Sequence, residues 1–488
     1  MKSLWAILCL LAGVGQAEPL FRDLSHRLPE HRYLGGWNHF VGGGVAVLDC
    51  NGDALPDIFA AGGTGPAGLF VNQGNFTFIA HPLPDIRATT GAYPIDINAD
   101  GFMDRFVLRI GQNMILKGGP DCSFTQATTE FPLLPADQWS TAFSAWWLDD
   151  GRPHMAVGNY VDLKNPEGPF FACDSHELLK PLADGYHSTP LEPGFCSLSM
   201  LATKDASGAQ RLRISNDRQY YVRGGYEQMW DLKEGRFLGA PDGWEKISIW
   251  GMGIASRDIT GDQREEVMLT SMGDQLMQIA QPDGTYASAP FSIGTYAHRP
   301  YFGDDGRPST GWHAQFGDMD NDGRVDLFIS KGNVDQMPSN AIKDPNNLLM
   351  QQEDGTFREM GQSAGLASTE RGRGAALADF DGDGRLDVVV LNRRAPLEIY
   401  RNETPDAGHW LAVSLLQPGG NRHAIGASVT VNSDMQRAII GGGHAGGQAG
   451  PLHFGLGAAT QAEITVAWPS GHITHHKAAA NQSVTLTP

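Results

Sequence analysis

Asp379-Phe380-Asp381-Gly382-Asp383-Gly384-Arg385-Leu386-Asp387, running on into Val388-Val389-Val390-Leu391, decides the fold. Acidic side chains fall at positions 1, 3, 5 and 9 of a tight loop, and an apolar, β-branched run follows. Carboxylates at alternating loop positions converge on one point, which suits a hard cation that takes about six to eight oxygens. An EF-hand would need a bidentate Glu at position 12 and a helix beyond it. Val390 stands there instead, in a run that reads as a buried strand. The stretch is therefore a calcium loop between two strands.

Working outward, the loop recurs. Asp49, Asn51, Asp53 and Asp57 form one copy, and Asp96, Asn98, Asp100 and Asp104 a second. Asp258, Thr260, Asp262 and Glu266 are a variant, and Asp318, Asp320, Asp322 and Asp326 a strict copy ahead of the seventh. The carbonyl at position 7 completes each expected ligand set: Leu55, Phe102, Arg264, Arg324 and Arg385. A glycine at position 6, as at Gly323 and Gly384, permits the sharp turn. Between the second copy and the variant lie two degenerate ones, Trp147–Gly151 and Lys204–Gly208, too short of ligands to hold an ion. Two carboxylates about 5 Å apart repel by roughly 3 kcal/mol at an effective dielectric near 20. A loop with four of them must open, take up protons or bind a cation. About five structural Ca²⁺ ions are expected, with binding energy feeding directly into folding.

Seven copies spaced by roughly 50–60 residues are the mark of a propeller. Each has an apolar, Gly-rich strand before the loop, an apolar strand after it, and a third strand leading through a polar hairpin to an aromatic. Four strands per unit make one blade. Blade six ends in Phe357-Arg358-Glu359-Met360, and Phe21-Arg22-Asp23-Leu24 nearly repeats it, while nothing equivalent follows Leu397–Arg401. Residues 20–25 are thus expected to complete blade seven and to remove the open edge. Residues 159–200 exceed a blade's needs and read as an insertion in blade three, either functional or a disulfide-pinned strut. The propeller spans 18–405. From 406 to 488 the period stops, and alternating strands around the glycine-rich Gly441–Gly450 form a small β-sandwich-like domain. The glycine loop, with His444 and His453 beside it, reads as mobile. The fold class is all-β.

Met1-Lys2, the apolar run Leu4–Val14 and Gly15-Gln16-Ala17 form a secretory signal over 1–17. No apolar run is long enough to span a membrane. Export to the periplasm or beyond the cell follows. Cys9 leaves with the signal, and four cysteines remain. They read as two disulfides in one of three connectivities. Cys173–Cys196 is favoured because it pins the Pro-rich stretch, which leaves Cys50–Cys122. The formal net charge of −19 argues against nucleic acid as a partner, and much of it sits in the loops where cations neutralise it.

These loops resemble FG-GAP/VCBS repeats, the calcium-binding blades of integrin-type propellers. Asn421-Arg422-His423-Ala424-Ile425-Gly426-Ala427, Leu452-His453-Phe454-Gly455-Leu456-Gly457 and Trp468-Pro469-Ser470-Gly471 resemble an ASPIC/UnbV domain. Together they are similar to the cartilage acidic protein family in its bacterial form. The resemblance implies an exported, calcium-bound seven-bladed propeller with a C-terminal β domain, and it implies no catalytic activity.

Residues just before each loop line the channel. A small residue stands five positions ahead of the first Asp in most copies: Gly44, Gly91, Ser144, Gly253 and Gly374. His313 is the exception. Trp37, Trp250, Trp312, His313, Arg371 and Arg373 form a candidate binding face for a protein or an anionic glycan. The alternative is a lyase or hydrolase acting on acidic polysaccharide, with His313 or His39 as acid–base groups. No phosphate loop, His-Glu-x-x-His or Cys-x-x-Cys is present, which puts binding ahead of catalysis.

Overall fold

The computed structural model describes residues 17–127, 130–131, 137–148, 151–165, 172–217, 224–296, 307–335 and 337–488. The expected signal therefore lies almost wholly outside the described residues, as do Asp149 and Asp150 of the first degenerate loop.

Seven four-stranded antiparallel units follow one another, six of them with their strands side by side in chain order, and the second and third are joined by strand pairing. Blade one runs Val45–Leu48, Asp57–Ala60, Gly68–Asn72 and Phe78–Ala80. Blades two to six begin at Thr89–Ile95, Gln138–Trp147, Ser197–Lys204, Gly251–Arg257 and Gly311–Gly317. Blade seven is Gly372–Ala378, Asp387–Asn392 and Glu398–Asn402, with Phe21–Asp23 as its outer strand. Phe21 pairs with Asn402 and Asp23 with Tyr400, so an N-terminal strand fastens the ring.

The first strands read as continuous apolar runs because both of their faces are covered. Val45 and Val47 pack toward blade seven, and Ala46 and Leu48 toward blade two. A hydrophobic cluster fills every interface between successive blades in the same way. Residues 159–200 differ from their expected reading as an insertion. His176–Leu182 and Gly185–Leu191 are the third and fourth strands of blade three, leaving only the connection before them as extra chain. Pro190 escapes a cost in the ladder because it lies on the outermost strand, where its missing N–H faces no partner strand. Disulfides join Cys50 to Cys122 and Cys173 to Cys196.

The C-terminal domain is two sheets around one core. One sheet is ordered Leu452–Gly457, His409–Leu415, Gln482–Leu486, and the other Asp434–Arg437, Ser428–Val431, Gln461–Ala467, Ile473–Ala479. It stands on the face of the ring that carries the acidic loops. Trp410 lies against Gly384, Gly455 against Asp318, Arg422 against Gly101 and Gly420 against Gly151. Arg257 pairs with Asp434 at 2.6 Å and Arg437 with Glu265 at 2.9 Å.

Its glycine-rich segment is ordered and fills the channel. The Ile440 carbonyl accepts from Ala145, that of Ala445 from Ala92 and that of Gly447 from Val47, each at 3.1 Å. Gly442 and Gly443 donate to Met200 and Ile254 at 2.7 Å. The segment thus borrows hydrogen bonds from the innermost strands of blades one to five, which satisfies backbone that a free loop would leave to water.

Candidate metal sites and the channel

All five acidic loops share one hydrogen-bond scaffold. The position-1 carboxylate gathers the backbone N–H groups that follow it: in loop seven Asp379 accepts from Gly382 at 2.8 Å, Asp383 at 3.1 Å and Gly384 at 2.7 Å. Position 6 is left-handed throughout, at Ala54, Gly101, Gln263, Gly323 and Gly384. The position-5 carboxylate accepts the N–H of position 7 at 2.8–3.0 Å in every copy, from Leu55, Phe102, Arg264, Arg324 and Arg385. The Arg264, Arg324 and Arg385 side chains also reach back to Asp262, Asp322 and Asp383.

Position 9 does more than supply an expected ligand. Asp387 accepts the N–H of Phe380 with one oxygen and of Asn402 with the other, both at 2.8 Å. Asp57, Asp104 and Asp326 bind Cys50 and Asn72, Ile97 and Gly118, and Met319 and Gln351 in the same way. Each therefore staples its loop to the third strand of its own blade. The sequence pattern marks these residues but cannot show this second task.

Loops six and seven are the two acidic clusters gathered for a cation among the described residues. Asp318, Asp320 and Asp326 each bring an oxygen within 4.8 Å of the others, as do Asp379, Asp381 and Asp387. Cys50, Asp57 and Cys122 also lie together, but the two sulfurs are bonded to each other and are no ligands. In loops one, two and five, Asn51, Asn98 and Thr260 stand where loops six and seven have an acid.

The residues fit a hard cation on a second ground. Asp96 Oδ1, Asp320 Oδ2 and Asp381 Oδ1 are buried with no hydrogen-bond partner, an arrangement that costs free energy unless a positive charge arrives. Burial, helped by neighbouring carboxylates, pushes Asp57 and Asp379 up to about 6 and Asp104 and Glu266 up to about 7. Asp318, Asp326 and Asp387 are raised well above the ordinary carboxylate value for the same causes. In the degenerate loop of blade four a guanidinium supplies the positive charge instead: Arg211 pairs with Asp205 at 3.0 Å and Asp231 at 2.5 Å.

The channel corrects the expected binding face. Small residues ahead of the loops make room for the glycine segment. A Cβ on Gly44 or Gly91 would lie 1.8 or 1.7 Å from the Ala445 oxygen, and Ser144 donates its hydroxyl to Ile440 at 2.6 Å. His313 is buried and accepts the His444 N–H on Nδ1 at 3.1 Å, and desolvation pulls its pKa down to about 4. His39 is likewise buried and lowered to about 4 by desolvation. Neither is placed to meet a substrate. Trp312 is fully buried, donates to Gly332 at 2.7 Å and lies under the Arg373 guanidinium at 3.9 Å. Arg373, also fully buried, donates to the carbonyls of Phe40, Gly372, Asn333 and Val334. These turns carry carbonyls that no strand pairs, and the arginine satisfies them. Trp37 stays exposed, while Trp250 and Arg371 are half-buried.

Sequence reasoning missed Arg393, Arg394 and Asp335 beside Arg371. The available signal was two adjacent arginines directly after a buried strand.

Comparison with known proteins places FG-GAP-like repeats at residues 49–107 and 318–390 and the ASPIC and UnbV domain at 417–488. Cartilage acidic protein 1 of Mus musculus and of Homo sapiens are each 28% identical over 173 residues, 34% of this chain and 26% of theirs. That of Xenopus tropicalis is 29% identical over 164 residues, 32% of this chain and 25% of its own. The chain thus matches about a quarter of the length of these relatives. Among solved structures, BBS1N in complex with ARL6DN is similar at a TM-score of 0.47 and 10% identity, covering 80% of this chain and 99% of that one. YCF48 bound to D1 peptide is similar at 0.44 and 10%, covering 80% and 98%.

Proposed function

We propose that this chain, which joins FG-GAP-like repeats to an ASPIC/UnbV domain and so belongs with the cartilage acidic proteins, is an exported calcium-binding propeller that serves as a binding module. The observation that carries the calcium reading is the set of buried carboxylate oxygens left without partners in the repeated loops. Five ions are assigned, to the loops beginning at Asp49, Asp96, Asp258, Asp318 and Asp379, held by the side chains at positions 1, 3, 5 and 9. When bound, Ca²⁺ neutralises crowded carboxylates and makes their burial favourable. The two disulfides and the likeness to a cartilage protein support a periplasmic or secreted location.

The face available to a protein or glycan partner follows from the domain arrangement. The C-terminal domain covers the acidic-loop face and corks the channel, so the opposite face remains. Sites of exported modules bind calcium at about 10⁻⁴–10⁻³ M. At tenfold that free concentration each site adds about 1.4 kcal/mol. Calorimetric titration with calcium is expected to give about five sites and a higher melting temperature than in chelator. No binding heat together with an unchanged melting temperature would refute the assignment.

A further inference from the structure

On the face away from the C-terminal domain, three guanidiniums meet one carboxylate oxygen. Arg371 Nη1, Arg393 Nη2 and Arg394 Nη1 lie 3.6, 3.6 and 3.0 Å from Asp335 Oδ1. Only the contact to Arg394 has hydrogen-bond length, so Asp335 makes no hydrogen bond to Arg371 or Arg393. Arg373 lies close enough for these charges to act on it: burial, then the charge of Arg393, holds its pKa well below the ordinary value. Among the described residues, four positive charges thus share one negative one, in a chain whose net charge is −19.

Arg393 and Arg394 do not relieve this repulsion by swinging into solvent, because backbone carbonyls tie them down. Arg393 donates to His39, Gly35 and Gly36, and Arg394 to Gly35 at 3.0 Å. Arg393 Nε remains buried without a partner. A cluster of fixed, under-neutralised guanidiniums is organised in advance for an added anion, and the planar fork suits a carboxylate in particular. The loop that holds these arginines continues directly into Trp37. That ring is 44% exposed yet braced edge-on by Trp139, with centroids 5.2 Å apart, and tilted against Phe40 at 6.0 Å. A rigid aromatic ring one residue along the chain from the Gly35 and Gly36 carbonyls that hold Arg393 and Arg394 matches a ligand that carries both C–H faces and a carboxylate.

We propose that this mouth is a binding site for an acidic sugar, a uronate, with its carboxylate on Arg371 and Arg394 and its ring against Trp37. The site rests on the binding-module reading and gives that module a ligand class. Asp335 occupies part of the anion position as an internal competitor.

The test titrates oligogalacturonate, a neutral oligosaccharide of the same length and inorganic sulfate into the calcium-loaded full chain at low salt. The acidic oligosaccharide binds saturably, the neutral one does not, and added salt weakens binding. Arg371→Gln and Arg394→Gln each weaken it by about tenfold, as expected for a charge-assisted pair. Trp37→Ala lowers sugar affinity and leaves sulfate affinity unchanged. Asp335→Asn strengthens both, whereas an ion-pair cluster with a structural role only would lower the melting temperature and bind neither. Equal affinity for the acidic and neutral sugars overturns the inference, as does absence of saturable binding by the folded wild type. Binding that all four substitutions leave untouched overturns this site while the binding-module reading stands. If the protein also captures nothing on a wider panel of glycans and extracellular proteins, that reading fails as well.

Discussion

Two glycines from different blades press on a single carbonyl, and that geometry fixes a quantitative expectation. A Cβ at Gly91 would sit 1.7 Å from the Ala445 oxygen, and one at Gly44 would sit 1.8 Å from the same atom. Neither glycine has a positive φ, so alanine costs nothing in backbone angle and the whole penalty is space. That oxygen accepts the Ala92 N–H at 3.1 Å, so moving it also breaks a buried hydrogen bond. Overpacking of this kind costs about 1–3 kcal/mol and the lost bond about 1 kcal/mol, which gives about 2–4 kcal/mol for Gly91→Ala or Gly44→Ala. Once one substitution has displaced the carbonyl, the other has little left to push against. The double variant should therefore lose less than about 1 kcal/mol beyond either single one, a strongly non-additive cycle. Gly450→Ala is the control, because its Cβ meets nothing within 4 Å. Urea unfolding in saturating calcium, followed by tryptophan fluorescence, reads all four proteins. Additive single effects, or single variants as stable as Gly450→Ala, would refute a corked channel.

The acidic loops give two more expectations. Without calcium, burial and then like charges raise Asp57 to about 6 and Asp104 and Glu266 to about 7. The native state then holds these protons more tightly than the unfolded chain, so their stabilisation is complete below about pH 4 and lost as pH rises through about 6 to 7. The urea midpoint in chelator should fall between pH 5 and pH 8, and calcium should remove the fall; a rise in chelator contradicts the assignment. Asp387→Ala strands the N–H groups of Phe380 and Asn402 and should cost about 2–4 kcal/mol even in chelator, and more in calcium, where an ion ligand is lost as well. Asp381→Ala should cost stability chiefly when calcium is present, which paired denaturation curves in the two conditions would separate.

The all-β class was legible because carboxylate spacing and fully apolar strands report local chemistry. Asp379 to Leu391 states its loop and its buried strand in thirteen consecutive residues. The channel was not legible in the same way. Gly44 and Gly91 say that something comes close, and not what comes. Gly441–Gly450 looked mobile because composition cannot reveal that Ala92, Ala145 and Ile254 hold out unpaired backbone groups to it. Arg373 and Trp312 looked like surface chemistry for a related reason: whether a polar side chain faces solvent depends on which distant turns need a donor. The charge cluster around Asp335 draws on blades six and seven and escapes any local reading.

The latch of Phe21–Asp23 onto Glu398–Asn402 sets the order of events at birth. The Leu20 N–H finds its acceptor on Thr404, 384 positions later. At a synthesis rate of about 5–20 residues per second, the first strand waits roughly 20–80 s for its neighbour to be made. Throughout that interval both ends of a growing, unclosed arc of blades offer bare strand edges to other nascent chains. A chaperone that shields those ends, or a slow passage that keeps nascent copies apart, would govern yield more strongly than the final stability of the closed ring.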